Sequence, residues 1–357
     1  MLQPANARGA CHWRPSTLPD VRPADHPTVA TGKVGVLLVN LGSPDEPTIP
    51  AVKRYLLQFL SDRRVVEIPA IVWQPLLRGV ILNTRPKTTA ANYAKVWQAD
   101  GSPLKVITRA QAEGLSTWFG PDVIVDHAMR YGNPSMPARL EALKDAGCDR
   151  ILIAPLYPQY SSATTGTALI EAFAALDKMR WMPAIRTLPP YHDHPAHIAA
   201  LAASVQKGLA ALPFTPEVLL LSFHGMPKRT LEMGDPYHCQ CMKTARLLRE
   251  ALGWDADRMP VAFQSLFGRA EWLQPYTEPT LIKLAERGIR KVAVLMPGFS
   301  ADCIETLEEI AIEARDSFLA AGGTGFAALP CLNTSEDGME MLRSIIAQEL
   351  AGWVSPR

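Results

Sequence analysis

The amino-acid sequence reads as an α/β protein built from two similar halves, each a four-stranded parallel sheet flanked by helices, with a cleft between them. Three observations lead there. Short apolar runs recur at regular intervals after residue 33, helix-length segments separate them, and the second half of the chain repeats the first in outline. Runs apolar on both faces belong to parallel strands covered by helices on either side. Their alternation with helices is the doubly wound pattern.

The runs are, in order, VGVLLVN (34–40), VIVDHAM (123–129), ILIAPLY (151–157), AIRTLPP (184–190), VLLLSFH (218–224), VAFQSLF (261–267), VAVLMPG (292–298) and FAALPCL (326–332). Each has strand length and is rich in Val, Ile and Leu. The repeat shows when LKDAGCDRILIAPLYPQYSSATT is set beside LAERGIRKVAVLMPGFSADCIET. A helix end, a glycine at C′ (Gly147, Gly288), a strand, a proline and an aromatic recur in step. VNLGSP (39–44) and SFHGMP (222–227) match in the same way. Two Rossmann-like domains follow. The first is placed at 33–167 and the second at 168–330. The C-terminal segment 331–357 carries a last helix that packs back on the first domain. Residues 1–32, rich in Pro, Ala, Arg and Asp and without periodicity, read as a flexible arm.

Composition agrees. At roughly 100–200 residues per domain, 357 residues make about two domains. A hydrophobic fraction of 48% with 20% charged residues excludes a disordered chain. A net charge of +1 gives no electrostatic footprint for nucleic acid. Six cysteines are too sparse for a disulfide scaffold and point to a reducing compartment. No stretch approaches the ~18 apolar residues of a membrane span, and no apolar signal segment opens the chain. The expected location is the cytoplasm, with a membrane surface as a contact.

In such folds ligands sit beyond the carboxyl ends of the strands. His224 ends the run VLLLSFH there, and Gly225 behind it permits a sharp turn and close approach of a ligand to the backbone. The plainer alternative is a satisfied histidine capping a core strand. The segment GFSADCIETLEEI (298–310) carries Glu305 and Glu309 four apart on one helical face, with Glu308 partly aside. Ser300 or Asp302 is placed to cap that helix. Either this is a solvated acidic helix start, or it is a carboxylate row facing His224 across the cleft, able to carry protons or guide a divalent cation.

No dinucleotide, Walker or nucleophile-elbow motif is present. The strand ends instead carry large side chains, among them Tyr131, Tyr157, Phe223, Phe267, Met296 and Phe299. The apolar segment 65–82, with Trp73 and Leu76, reads as a core helix or as a hydrophobic rim over a large apolar ligand, touching a membrane surface. Arg85, Lys87 and Arg130 then suit acidic groups at the ligand's edge. His238, Cys239 and Cys241 are a dense group of soft ligands, yet Cys-x-Cys is too tight for the usual zinc pair. In YHDHPAHIAAL (191–201), Asp193 or His194 before Pro195 reads as a helix start rather than a metal site.

With LLVNLGSP (37–44), GSPL (101–104), MRYGNP (129–134), PLYPQYSSATTG (155–166), SFHGMPKR (222–229) and GFSADCIETLEEI in this order and spacing, the chain resembles the ferrochelatase family from Val34 to about residue 350. The resemblance implies a lyase that inserts Fe²⁺ into protoporphyrin IX with release of two protons, the last step of protohaem synthesis. It implies His224 as the active-site histidine, Glu305 as the active-site glutamate and Glu309 as the next acid. It places Arg85, Tyr93, Ser102, Arg130 and Tyr131 around the porphyrin pocket, Asn40 and Leu41 against the macrocycle, and 65–82 as the lip.

Position 303 is Cys where animal members carry a second histidine, which resembles the Gram-negative branch. Ala163 stands in the segment that holds a cluster cysteine in animal members, so no animal-type iron–sulfur cluster is expected, and no prosthetic group: iron is substrate. Two roles stay open for His224, proton acceptor or, with Glu305, ferrous ligand. The rival readings are a non-catalytic porphyrin- or metal-binding clamp, a cobalt or nickel chelatase for another tetrapyrrole, and a coproporphyrin ferrochelatase.

Overall fold

The computed structural model describes residues 25–26, 30–268 and 270–354; the arm expected at 1–32 lies mostly outside them. The first sheet is built from β1 (Lys33–Ser43), β2 (Val123–Gly132), β3 (Cys148–Pro155) and β4 (Ala184–Thr187), in the order β2-β1-β3-β4. The second is built from β5 (Val218–His224), β6 (Val261–Gln264), β7 (Lys291–Leu295) and β8 (Gly325–Ala328), in the order β6-β5-β7-β8. Every pairing within the two sheets is parallel. The orders are the same, so the likeness between the two halves extends to topology.

Between β1 and β2 lie α1 (Ile49–Leu60), α2 (Ala70–Leu76), α3 (Leu82–Val96) and α4 (Pro103–Phe119), with a π-helical turn, π1 (Leu77–Ile81), joining α2 to α3. Then come α5 (Met136–Asp145), π2 (Ser162–Gly166), α6 (Thr167–Leu176) and α7 (Pro195–Ala210), which leads into the second sheet. There α8 (Lys228–Glu232), α9 (Tyr237–Leu252), α10 (Thr277–Glu286), π3 (Glu305–Ala314) and α11 (Arg315–Ala320) make the crossovers, and α12 (Glu336–Glu349) closes the chain.

Local chemistry sets the ends of these elements. The Ser102 hydroxyl accepts from the Lys105 amide and Pro103 fills N1, so α4 starts there. The His194 ring accepts from the Ala196 amide with Pro195 at N1, so the histidine run is a helix start as expected. Gly147 and Gly288 both take positive φ just past their helices. Gly42 (φ +106°) is needed where β1 meets β2, because a Cβ there would lie 1.8 Å from the Tyr131 carbonyl oxygen.

The division of the chain falls later than residue 167. β4 pairs with β3, so 184–187 belongs to the first sheet, and α7 is the true connector. The reason is that β3, α6 and β4 form one crossover unit, which a cut at 168 splits. α12 packs on α4 and α7. One continuous core joins the two sheets: Val36, Leu38 and Leu152 on one side and Leu219, Leu221 and Phe223 on the other pack with Leu201, Leu248 and Leu342 from α7, α9 and α12. This shared core fixes the two sheets' carboxyl ends side by side.

Candidate active site

His224 is the last residue of β5, half-buried at the sheet's carboxyl edge. Its Nδ1 lies 2.6 Å from the Gly225 carbonyl oxygen. A carbonyl only accepts, so Nδ1 donates to it, and whenever the ring is neutral Nε2 holds the lone pair. Gly225 does allow a close approach, but of the neighbouring strand: its amide donates to the Gln264 carbonyl at 2.7 Å, and a Cβ would lie 2.6 Å from that oxygen.

The carboxylates lie beside His224 rather than across the cleft. Glu305 and Glu309 lie in the first half of π3, on the crossover from β7 to β8, and β7 pairs with β5 in the same sheet. The segment is π-helical rather than α-helical; a slightly wider turn still keeps residues four apart close to one face. Neither Ser300 nor Asp302 caps it. The Asp302 carboxylate accepts from the Thr306 hydroxyl (2.8 Å) and the Asn333 amide (2.6 Å) instead.

Glu309 is held by the Ser265 amide (2.6 Å), by the Ser265 hydroxyl and by the Gln264 side-chain amide (3.5 Å). Burial raises its carboxyl above the usual range. The Ser265 bonds and the charge of His224 pull it back, and the charge of Glu305 pushes it up again. Glu308 turns away and is buried, paired at 2.5 Å with Lys95 of α3.

The first domain supplies the facing wall. Tyr55 and Tyr93 are buried there, and burial above all, with the charge of Glu305 adding to it, pushes both phenols well above their ordinary value. Leu41 packs with Leu104 and Ile107 against Phe299, Ala301 and Cys303 of the second domain. Burial, then Glu305, raises the Cys303 thiol, so it stays protonated. Asn40 is buried, its Oδ1 accepting from the Leu41 amide at 2.9 Å and its amide donating to Thr108 at 3.2 Å. Arg85 lays its guanidinium 4.4 Å over the Phe267 ring, from one wall to the other. A pocket of about 350 Å³ opens there, lined by Thr84, Arg85, Thr88, Thr89, Asn92 and Ile304.

Three expected pocket residues make hydrogen bonds within the first domain. Arg130 (2.6 Å) and Tyr131 (2.9 Å) both bond Asp62, Thr167 does so too, and the Arg130 guanidinium covers the Tyr131 ring at 4.3 Å. Burial alone would raise the Asp62 carboxyl; these bonds, with the Arg64 amide and the charge of Arg130, hold it below the usual range. Ser102 is buried and bonds the Ser43 hydroxyl. Sequence reasoning missed Ser265, Gln264, Tyr55, Lys95 and Asp62. Only the first two left a signal: polar residues at the carboxyl end of an apolar run.

In the segment 65–82, Trp73 and Leu77 are buried while Ile68, Ile71, Val72, Leu76 and Val80 are exposed, Ile71 by 86%. One side of the segment packs in the core and the other is an exposed apolar surface. Among the described residues no helix is long and apolar enough to cross a membrane. Cys239 is exposed, Cys241 is buried and the His238 ring stacks on Phe263. Among the described residues no group of three or more His, Cys, Asp or Glu side chains is disposed to hold a metal ion.

Comparison with known proteins gives one answer. The family model described as Ferrochelatase matches residues 33–350. A ferrochelatase of Rhizobium meliloti is 55% identical over 334 residues, covering 92% of this chain and 98% of its own. One of Agrobacterium fabrum is 52% identical over 336 residues, covering 93% and 98%. Among solved structures, SirB from Bacillus subtilis with Fe³⁺ aligns with a TM-score of 0.54 over 90% of this chain and 97% of its own, at 12% identity, a likeness of fold.

Proposed function

The chain belongs to the ferrochelatase family, lyases that place ferrous iron in a porphyrin, and from that premise we propose that His224 accepts the pyrrole protons through Nε2 while Glu309 and Glu305 take them onward. The observation that carries this reading is the histidine's fixed tautomer beside a carboxyl that burial has made a weak acid. Metalation releases two protons from the ring nitrogens. A neutral imidazole takes a proton near neutral pH, and an adjacent carboxylate stabilises the imidazolium. Because burial favours its protonated form, Glu309 is suited to receive that proton and release it. The competing role, His224 and Glu305 as landing site for the ferrous substrate, uses the same Nε2, and one lone pair serves one partner at a time.

The macrocycle enters between the walls that now meet at Leu41, Phe299, Phe267 and Arg85, with Arg85 at its acidic edge. We assign protoporphyrin IX rather than coproporphyrin, because the mouth is rimmed by the apolar residues of α2 and π1. The same rim is proposed to rest on the cytoplasmic face of a membrane. Replacing Ile71 and Val72 by Ser then lowers co-sedimentation with anionic lipid vesicles and leaves turnover of detergent-solubilised porphyrin unchanged. Unchanged sedimentation overturns the membrane contact.

Anaerobic incubation with Fe²⁺ and each porphyrin tests the whole. Protoporphyrin fluorescence falls with stoichiometry far above one per protein, and coproporphyrin responds far more slowly. A one-to-one loss points to a carrier. His224→Ala lowers turnover by at least about 100-fold while porphyrin still binds; near-normal turnover overturns both roles of the histidine.

A further inference from the structure

Ser265 follows β6 directly and holds φ at +66°, a left-handed conformation that serine seldom adopts. What that conformation achieves is visible in its contacts. The backbone amide donates to Glu309 Oε1 at 2.6 Å and the hydroxyl donates to Oε2, so one residue grips both oxygens of one carboxylate. The neighbouring Gln264 completes the clamp. Its Oε1 accepts from the Ser222 hydroxyl at 2.7 Å, which turns its amide toward the Glu305 carbonyl (2.9 Å) and Glu309 Oε2 (3.5 Å). Glu309 itself rides on a π-helix, a different element from the strand that carries His224. The clamp therefore ties the carboxylate of one element to the edge of another.

We infer that Ser265 is a positioning residue for metal insertion: its strained backbone and its hydroxyl together hold the Glu309 carboxylate in register with His224. The inference rests on the role given to Glu309 above. Backbone strain at a functional site is held in place by the surrounding contacts. Here the amide contact survives any substitution that keeps the conformation, and the hydroxyl contact does not.

Ser265→Gly separates positioning from mere structure. Glycine adopts the left-handed conformation freely and retains the amide, so a purely structural serine predicts an unchanged or higher melting temperature and an unchanged rate. Positioning predicts that kcat for iron insertion falls about tenfold, the effect of losing one hydrogen bond to a charged group, with KM for protoporphyrin unchanged. It also predicts that S265G costs nothing more in an E309Q background. If S265G keeps kcat within twofold of wild type, or lowers it equally with and without E309Q, the inference is overturned. Should S265G melt well below the wild type, Ser265→Ala carries the same comparison, with the same two outcomes. Full activity of E309Q alone overturns the role of Glu309 instead. An impaired E309Q beside a normal S265G overturns only the clamp.

Discussion

His197 offers the sharpest quantitative prediction. It lies on α7, the connector between the sheets, 2% exposed, with its ring edge-on to Tyr191 at 5.3 Å. Neither ring nitrogen has a hydrogen-bond partner among the described residues. Burial first, and then the charges of His192 and His194, bring its pKa down from 6.5 to about 3. A histidine depressed in the folded state contributes its full stability above the unfolded value. That stability is lost as pH falls from 6.5 toward 3, because the unfolded chain binds the proton first. The full window of about 3.5 pH units amounts to about 5 kcal/mol, and about 2 kcal/mol is already lost at pH 5. His197→Leu removes the titration and both unpartnered nitrogens while filling the site. Urea unfolding at pH 7 and pH 5 measures the difference. The wild type loses about 2 kcal/mol more than the variant between the two pH values. Equal losses would refute the reasoning.

Other positions give simpler outcomes. Asp62→Ala leaves the buried Arg130 with Glu171 at 3.6 Å as its remaining ion-pair partner, beside its bonds to Thr167, and costs about 3 kcal/mol in urea unfolding. Because the Asp62 carboxyl is held below its usual range, its contribution is present above about pH 4 and lost as pH falls further; Asp62→Asn removes that acid limb. Gly42→Ala meets the Tyr131 carbonyl at 1.8 Å in a left-handed backbone, and destabilises by more than about 4 kcal/mol or yields insoluble protein.

Much of the fold was legible because parallel strands are short, apolar on both faces and punctuated by glycine. All eight runs are strands, and Gly147 and Gly288 stand where they were placed. The boundary at 168 failed because α6 and β4 resemble any other helix–strand unit, and only the pairing of Ile153 with Thr187 shows which sheet owns them. That His224 ends a strand and that Glu305 and Glu309 share a following helix was legible from the local pattern. Their placement side by side was not, since strand order is set by tertiary packing. The π-helix escaped because a wider turn leaves the same apolar stripe at these spacings as an α-helix does. Asp62, 68 residues from Arg130, and Lys95, 213 residues from Glu308, are partners that no local pattern announces. Ser265 escaped for a different reason: nothing in VAFQSLF marks a left-handed serine.

If Nε2 of His224 removes protons from the bound macrocycle, added imidazole should stand in for it. Single-turnover iron insertion by His224→Ala, with imidazole added to the buffer, is the measurement. The expected rate lies at least about 100-fold below wild type and rises with the concentration of neutral imidazole while protoporphyrin affinity stays constant. Insertion by His224→Ala at close to the wild-type rate without imidazole would contradict that role.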